Sequence, residues 1–261
     1  MSTIHSAERD GGVRVLTLDR PPANAINDAL LNDLLAALAA ARDDDGVRAL
    51  VLTGTGPLFC GGLDLGQVER RVEEEARDNF FYRNLFRDAF AALLGFPKPT
   101  IAMLNGHAIA GGLLMLLTCD YRLGRDGDYK IGLNEVAIGA AFSLAAYEIV
   151  ALRLTHAQAS ELMLGAALYP VQQALRLGVV EEILPADAFE ATVLRRAARM
   201  GAFPRQAYAH TKARLVAPAL TATGAEPAAE VARTAAIWAS AESAAARAAQ
   251  RAKLGIGKRQ A

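Results

Sequence analysis

Two glycine-rich turns and one isolated carboxylate are the residues of this chain whose types and spacing could do chemistry. "HAIAGGLLMLLT" places Gly111 and Gly112 behind a short extended stretch and at the head of an apolar helical run. Glycine is the poorest ordinary helix former, so a pair of them at a helix start calls for a reason other than propensity. Strand, glycines, then helix leaves the first backbone N–H groups unpaired with no Cβ in front of them, and such donors attract negative oxygen. "CGGLDL", residues 60–65, repeats the device after another extended stretch. Two N–H donors from separate loops, once brought together, make an oxyanion hole. Glycines in turns also serve purely steric needs, and for each turn taken alone both readings stand.

An acid or base has to work beside such a hole. Glu135 is the one charged side chain in "IGLNEVAIG". Burial there would lift its pKa above the ~4.3 of a free glutamate and make it a stronger base; a loop glutamate paired with an arginine, or capping the next helix, is the competing reading. His107 precedes the glycines with no Ser or Cys visibly paired to it, which fits a hydrogen-bonded structural histidine. Two cooperating carboxylates are not evident. Neither glycine turn carries the GK[ST] ending of a phosphate loop or the spacing GxGxxG, so a nucleotide fold is not supported. Cys60 and Cys119, the two cysteines, lie in apolar surroundings without metal-ligand spacing and read as buried free thiols. No metal site is expected.

The elements that must position these residues follow from periodicity. "VRVLTLD", residues 13–19, is a β-branched strand, and "RPPAN" interrupts it as a loop. From Asn27, a plausible N-cap, Leu30, Leu31, Leu34, Leu35 and Leu38 recur at helical spacing until the stop at Asp43, Asp44, Asp45 and Gly46. "RALVLTG", residues 48–54, has an apolar run that is continuous rather than alternating, as expected for a strand covered on both faces. Residues 69–88, with Phe80, Phe81, Leu85, Phe86 and then Phe90 at helical intervals, read as one long helix. "PKPTIAMLNG" gives a strand, the glycine pair opens a helix through Thr118, and "CDYRLG" resumes extended structure. Pro170 and Gly178 bracket a further helix, followed by a strand "VVEEIL". Residues 186–250 are helix-forming throughout, with breaks expected at Pro204, Pro218, Gly224 and Pro227. The class is α/β with a helical extension, divided into a core of residues 1–195 and a helical region of 196–261.

The 261 residues are 52% hydrophobic and 21% charged, with 28 basic side chains balancing 28 acidic ones. No one-sided basic surface invites nucleic acid or an anionic membrane. The apolar stretches around residues 108–117 and 136–146 fall short of the ~20 residues that a membrane-spanning helix needs. "MSTIHSAERDGG" lacks both the apolar core of a signal peptide and the arginine-rich pattern of a transit peptide, so the cytoplasm is the expected compartment.

Four ordered stretches, "LTLDRPPANAIN", "VRALVLTGTGPLFCGGLDL", "PKPTIAMLNGHAIAGG" and "CDYRLGRDGDYKIGLNEVAIG", resemble the crotonase, or enoyl-CoA hydratase/isomerase, superfamily from residue 13 to about 183. The resemblance implies a crotonase-like spiral of ββα units with a C-terminal helical trimerisation region, a homotrimer or dimer of trimers, and acyl-CoA thioesters as ligands. It implies an oxyanion hole from the N–H groups of Leu63 and Gly111. It also implies a substrate surface of Ala25, Ile26, Gly62, Asp64, Leu65, Gly112, Leu114 and Phe142, with coenzyme A near Ala25, Ile26 and Asp64. On this reading a side chain at Gly111 or Gly112 would obstruct the thioester.

Hydratases of the family carry a glutamate three residues after the position of Gly111, where this chain has Leu114; their second glutamate is matched by Glu135. One base suffices to move a proton from C2 to C4 of a 3-enoyl thioester, whereas adding water needs the water held and deprotonated as well. "GGLDL", "AGG" with apolar residues after it, and "YKIGLNE" are similar to the Δ3,Δ2-enoyl-CoA isomerases. The implied activity is isomerisation in fatty acid degradation, with no cofactor beyond the coenzyme A of the substrate. A hydratase or related lyase, and a non-catalytic acyl-CoA binder, are the alternatives.

Overall fold

The computed structural model describes residues 2–73 and 84–255. The chain opens with β1 (Ile4–Arg9) and β2 (Val13–Leu18), antiparallel from Ile4 opposite Leu18 to Arg9 opposite Val13. Helix α1 (Asp28–Asp43) follows, and the Asn27 side chain accepts from the N–H of Leu30, the cap that the sequence suggests. Next come β3 (Ala49–Gly54), β4 (Leu58–Cys60) and α2 (Leu65–Glu73), then α3 (Asn84–Leu94). The long helix expected over residues 69–88 overlaps the ends of α2 and α3; its middle, with Phe80 and Phe81, lies outside the described residues.

Two further repeats then run β5 (Thr100–Leu104), β6 (His107–Ile109), α4 (Gly111–Thr118), and β7 (Tyr121–Arg125), β8 (Lys130–Gly132), α5 (Leu144–Arg153), with α6 (His156–Met163) after them. Each repeat sends its first strand to one sheet and its second to another. With β9 (Tyr169–Pro170) and β10 (Glu182–Leu184) added, the larger sheet is ordered β1-β2-β3-β5-β7-β10 and the smaller β4-β6-β8-β9. All pairings are parallel except β1 with β2 and β8 with β9. This is the expected ββα spiral.

Alternation along the strands divides the core. Val13, Val15, Ala49, Val51, Ile101 and Met103 face α7 (Phe189–Gly201), which covers one side of the large sheet with Val193, Ala197 and Met200. Leu16, Leu18, Leu50, Leu52, Ala102 and Leu104 face the other way, toward α1, α3 and α4. The covered-on-both-faces reading of residues 48–54 thus matches the structure, but the boundary at 195/196 does not, because it cuts α7 in the middle of its packed face.

Two helical expectations need correction. Between Pro170 and Gly178 there is no α-helix: residues Val171–Gln173 form a 3-10 turn followed by further turns. The buried Val171, Ala174 and Leu177 recur every three residues, the 3-10 period rather than 3.6. Pro218 breaks nothing; α8 (Arg205–Gly224) runs through it, and Lys212, Val216, Ala219 and Thr223 are buried at helical spacing. Packing of that face against α3 and α5 outweighs the local cost of proline. Helices α9 (Ala228–Ala239) and α10 (Ala241–Lys253) then pack against each other, and α10 packs against the turn Val136–Ile138. Among the described residues no helix is long and apolar enough to cross a membrane.

Candidate active site

Strands β4, β6 and β8 are adjacent and parallel, so their C-terminal ends lie on one edge of the small sheet. Each delivers one functional segment there. After β4 the chain is laced to the loop before α1: Gly61 N–H donates to Ala23, Ile26 N–H to Gly62 and Asp64 N–H to Ile26, at 2.9, 2.7 and 2.9 Å. Leu63 sits in the middle of this ladder. After β6, Ala110 adopts φ +52°, ψ −127°, a conformation that L side chains resist, and α4 begins at Gly111. Among the described residues no carbonyl accepts from the N–H of Leu63 or of Gly111.

Glycine brings the two loops together. Gly62 has φ +87°, and a Cβ on it would stand 2.8 Å from the Ile109 carbonyl oxygen and 3.4 Å from Gly111 N. A Cβ on Gly111 would meet the Ile26 Cδ1 at 3.2 Å and Leu63 Cγ at 3.9 Å. The reading of Gly112 as a guard of the thioester's approach is corrected: its Cβ would fall 2.1 Å from the Cys60 carbonyl oxygen. That glycine lets α4 lie directly on β4.

After β8, the chain passes through Asn134 to Glu135 and a 3-10 turn, Val136–Ile138. The Glu135 carbonyl accepts from Ile138 N–H and Ala140 N–H at 3.0 and 2.9 Å, and Gly139 closes the turn with φ +69°. Among the described residues the side chain has no arginine partner, and it makes no capping hydrogen bond to the turn that follows. Glu135 is 8% exposed, and its Oε2 is buried with no hydrogen-bond partner among the described residues. Burial pushes the carboxyl up to about 8, only slightly opposed by its own backbone N–H.

Leu63, Gly111 and Glu135 line one cavity of about 580 Å³ together with Ala25, Asp64, Leu65, Leu114 and Phe142. Leu114 is 3% exposed and presents only hydrocarbon where a second acid would stand. Ile26, Gly62 and Gly112, expected at the substrate surface, lie behind the lining: Ile26 supports Gly111, and the two glycines permit close packing. Asp64 is the other carboxylate on the wall. Partial burial pushes it up, but the Gln67 N–H and the Arg20 guanidinium, 2.5 Å away, more than offset this and hold it below its ordinary range. Asp64 is therefore committed as an anion, paired to Arg20 and capping α2. His107 also lines the cavity, and Lys130 N–H donates to its Nδ1, which leaves the proton of the neutral ring on Nε2. Cys60 lies behind the hole with burial pushing its thiol up to about 12, so it is no nucleophile.

Several wall residues are not marked as site residues by the sequence, Arg20, Asn134 and Trp238 among them. Arg20 sits in a stretch read only as a loop, Asn134 has a buried Oδ1 without a partner among the described residues, and Trp238 arrives from α9. A polar residue beside the isolated Glu135 was a usable signal for Asn134; nothing local marks Trp238.

Comparison with known proteins adds to this geometry. The family model for enoyl-CoA hydratase/isomerase matches residues 8–249. A Thermus thermophilus protein provisionally named an enoyl-CoA hydratase is 36% identical over 67% of this chain and 69% of its own length. The human protein named mitochondrial enoyl-CoA delta isomerase 1 is 29% identical over 77% of this chain and 67% of its own length. The crystal structure of human mitochondrial Δ3-Δ2-enoyl-CoA isomerase superposes with a TM-score of 0.88 at 25% identity, covering 98% of this chain and 100% of that one.

Proposed function

The chain belongs to the enoyl-CoA hydratase/isomerase family, whose members act on acyl-CoA thioesters, and from that premise we propose that it isomerises 3-enoyl-CoA to trans-2-enoyl-CoA. The observation that carries the proposal is that, among the described residues, one uncommitted carboxylate, Glu135, lines the same cavity as Leu63 and Gly111, with hydrocarbon at Leu114. The thioester oxygen accepts from both N–H groups. Glu135 takes a proton from C2, the electrons pass into a dienolate whose charge rests on that oxygen, and the protonated Glu135 returns the proton at C4. The double bond has then moved from C3–C4 to C2–C3 with no net gain or loss of atoms or electrons, so the proposed reaction calls for no cofactor beyond the coenzyme A of the substrate.

The raised proton affinity of Glu135 suits this task, since a base near the operating pH both accepts and returns a proton readily. Each N–H is worth about 3 kcal/mol to the dienolate by the standard of comparable oxyanion holes. Leu114 withholds the second carboxylate that would help to hold and activate water.

The test is a panel of 3-enoyl- and 2-enoyl-CoA esters with wild type and Glu135→Gln, followed by absorbance and mass. Conversion of 3-enoyl to 2-enoyl esters by wild type and its loss in the folded, ligand-binding variant are expected. Loss of 2-enoyl absorbance with gain of water would show a hydratase instead. Thioester binding without proton exchange would show a binder.

A further inference from the structure

Trp238 reaches the cavity wall from α9, far along the chain from the loops that carry the base and the oxyanion hole, and is 1% exposed. Its indole N–H donates to the Ala141 carbonyl at 2.9 Å, just beyond the Glu135 turn. The ring shares an apolar cluster with Ile138 and Ala140 on the base side and with Val68 on α2, against which Leu63 and Leu65 pack. From behind, the Arg247 guanidinium lies 5.3 Å from the ring centroid, and its Nε reaches Glu69 of α2 at 2.5 Å. Helix α10 seats on the same turn so closely that a Cβ on Gly139 would stand 2.5 Å from Ser243 Cα.

We propose that Trp238 is a positioning residue for the proposed reaction: supplied by the C-terminal helices of the same chain, it seals the cavity behind the Glu135 turn and fixes that turn against the loop carrying Leu63. One rigid side chain thus serves two ends. Its N–H fixes the backbone just after the base, and its faces exclude water from the low-dielectric pocket in which the carboxylate sits. Among the described residues, the charged and titratable groups on the wall are Arg20, Asp64, His107 and Lys130, with Glu69 and Arg247 in the layer behind the indole. Trp238 is uncharged, so its replacement alters solvent access to Glu135 while every one of those groups stays in the chain.

The inference rests on the isomerase reading for its rate predictions but not for its titration. Wild type, Trp238→Ala, Trp238→Leu and Trp238→Phe are prepared with ¹³C-labelled glutamate, with Glu135→Gln identifying the Glu135 carboxyl signal. The wild-type midpoint is expected at about 8. In Trp238→Ala it falls by at least about one pH unit as water enters, and kcat at the plateau falls about tenfold or more with a smaller change in KM. Trp238→Phe, which restores the apolar seal without the N–H, keeps the midpoint within about half a unit of wild type. Should Trp238→Ala fail to fold, Trp238→Leu carries the same comparison, since leucine is too small to close the wall. A folded Ala or Leu variant with an unmoved midpoint overturns the proposal. If wild type shows no isomerisation yet the midpoint still falls, the function reading is lost and the sealing role stands.

Discussion

Replacing Glu135 by Gln should stabilise the protein, and increasingly so as pH rises. The carboxyl has an ordinary value of 4.5 and is pushed up to about 8 in the folded chain, chiefly by burial. Below 4.5 the folded and unfolded states both hold the proton, and above about 8 both have lost it. Between those limits the unfolded state binds fewer protons than the folded one, so wild-type stability falls as pH rises through the window. The difference of about 3.5 pH units, at about 1.4 kcal/mol each, amounts to roughly 5 kcal/mol of stability that wild type forgoes above the window. Gln has no proton to lose and escapes the penalty. Urea denaturation of both proteins at one fixed concentration, at half-unit steps from pH 4.5 to 9, measures it. The gap between the two free energies should widen by about 1.4 kcal/mol per pH unit and level off near pH 8. Parallel curves across the window would mean that Glu135 is ionised in the folded state at its ordinary pH, and the account of it as a desolvated base would fail.

Two substitutions test the remaining geometry. Leu114→Glu adds a carboxylate to the cavity beyond Glu135 and the Arg20-paired Asp64, and hydration of crotonyl-CoA, followed as loss of 2-enoyl absorbance, should rise at least about tenfold over wild type, at a cost in thermal stability from burying a charge. No rise would show that hydrocarbon at this position is not what suppresses hydration. Gly112→Ala drives a Cβ to 2.1 Å from the Cys60 carbonyl oxygen and should cost about 3 kcal/mol or prevent folding, whereas Gly111→Ala meets only the flexible Ile26 end at 3.2 Å and should cost about 1 kcal/mol or less, read as melting temperatures.

What the sequence discloses of this fold and site depends on how far a signal reaches along the chain. Helix α1 is legible because its apolar stripe, its Asn27 cap and its glycine stop all lie within one window. β3 is legible because both of its faces are covered, so Ala49 to Leu52 are apolar without alternation and every residue of the strand is buried. β4, β6 and β8 are three residues each, too short for a period of two to show, and β1 is hidden because only Ile4 of its six residues is buried. Glu135 stands out as a lone charge in an apolar stretch, but tertiary structure decides whether an arginine pairs with it, and among the described residues none does. Gly112 is conspicuous for a reason that sequence cannot supply, since the atom it must avoid belongs to Cys60. Trp238 sits on a helix whose local composition says nothing about the distant turn that it holds.

The small sheet explains why three separate loops suffice for one reaction. Neighbouring strands are spaced about 4.8 Å apart, so β4 and β8, with β6 between them, stand roughly 10 Å apart, backbone to backbone. The loops carrying Leu63 and Gly111 follow the first two strands of this set and approach closely because Gly62 and Gly111 carry no Cβ, which lets both N–H groups serve one oxygen in the proposed reaction. Glu135 follows the third strand and lines the same cavity as Leu63 and Gly111. The proposed reaction needs between hole and base the span from a thioester carbonyl to C2 and C4, a few carbon–carbon bonds. A base on β6 would crowd the oxygen, and one beyond β8, on β9, would meet an antiparallel strand whose end lies on the opposite edge. In the proposed mechanism strand order thus gives the hole to the first two loops and the base to the third before any side chain is chosen, and the apolar walls then raise the proton affinity of the acid placed there.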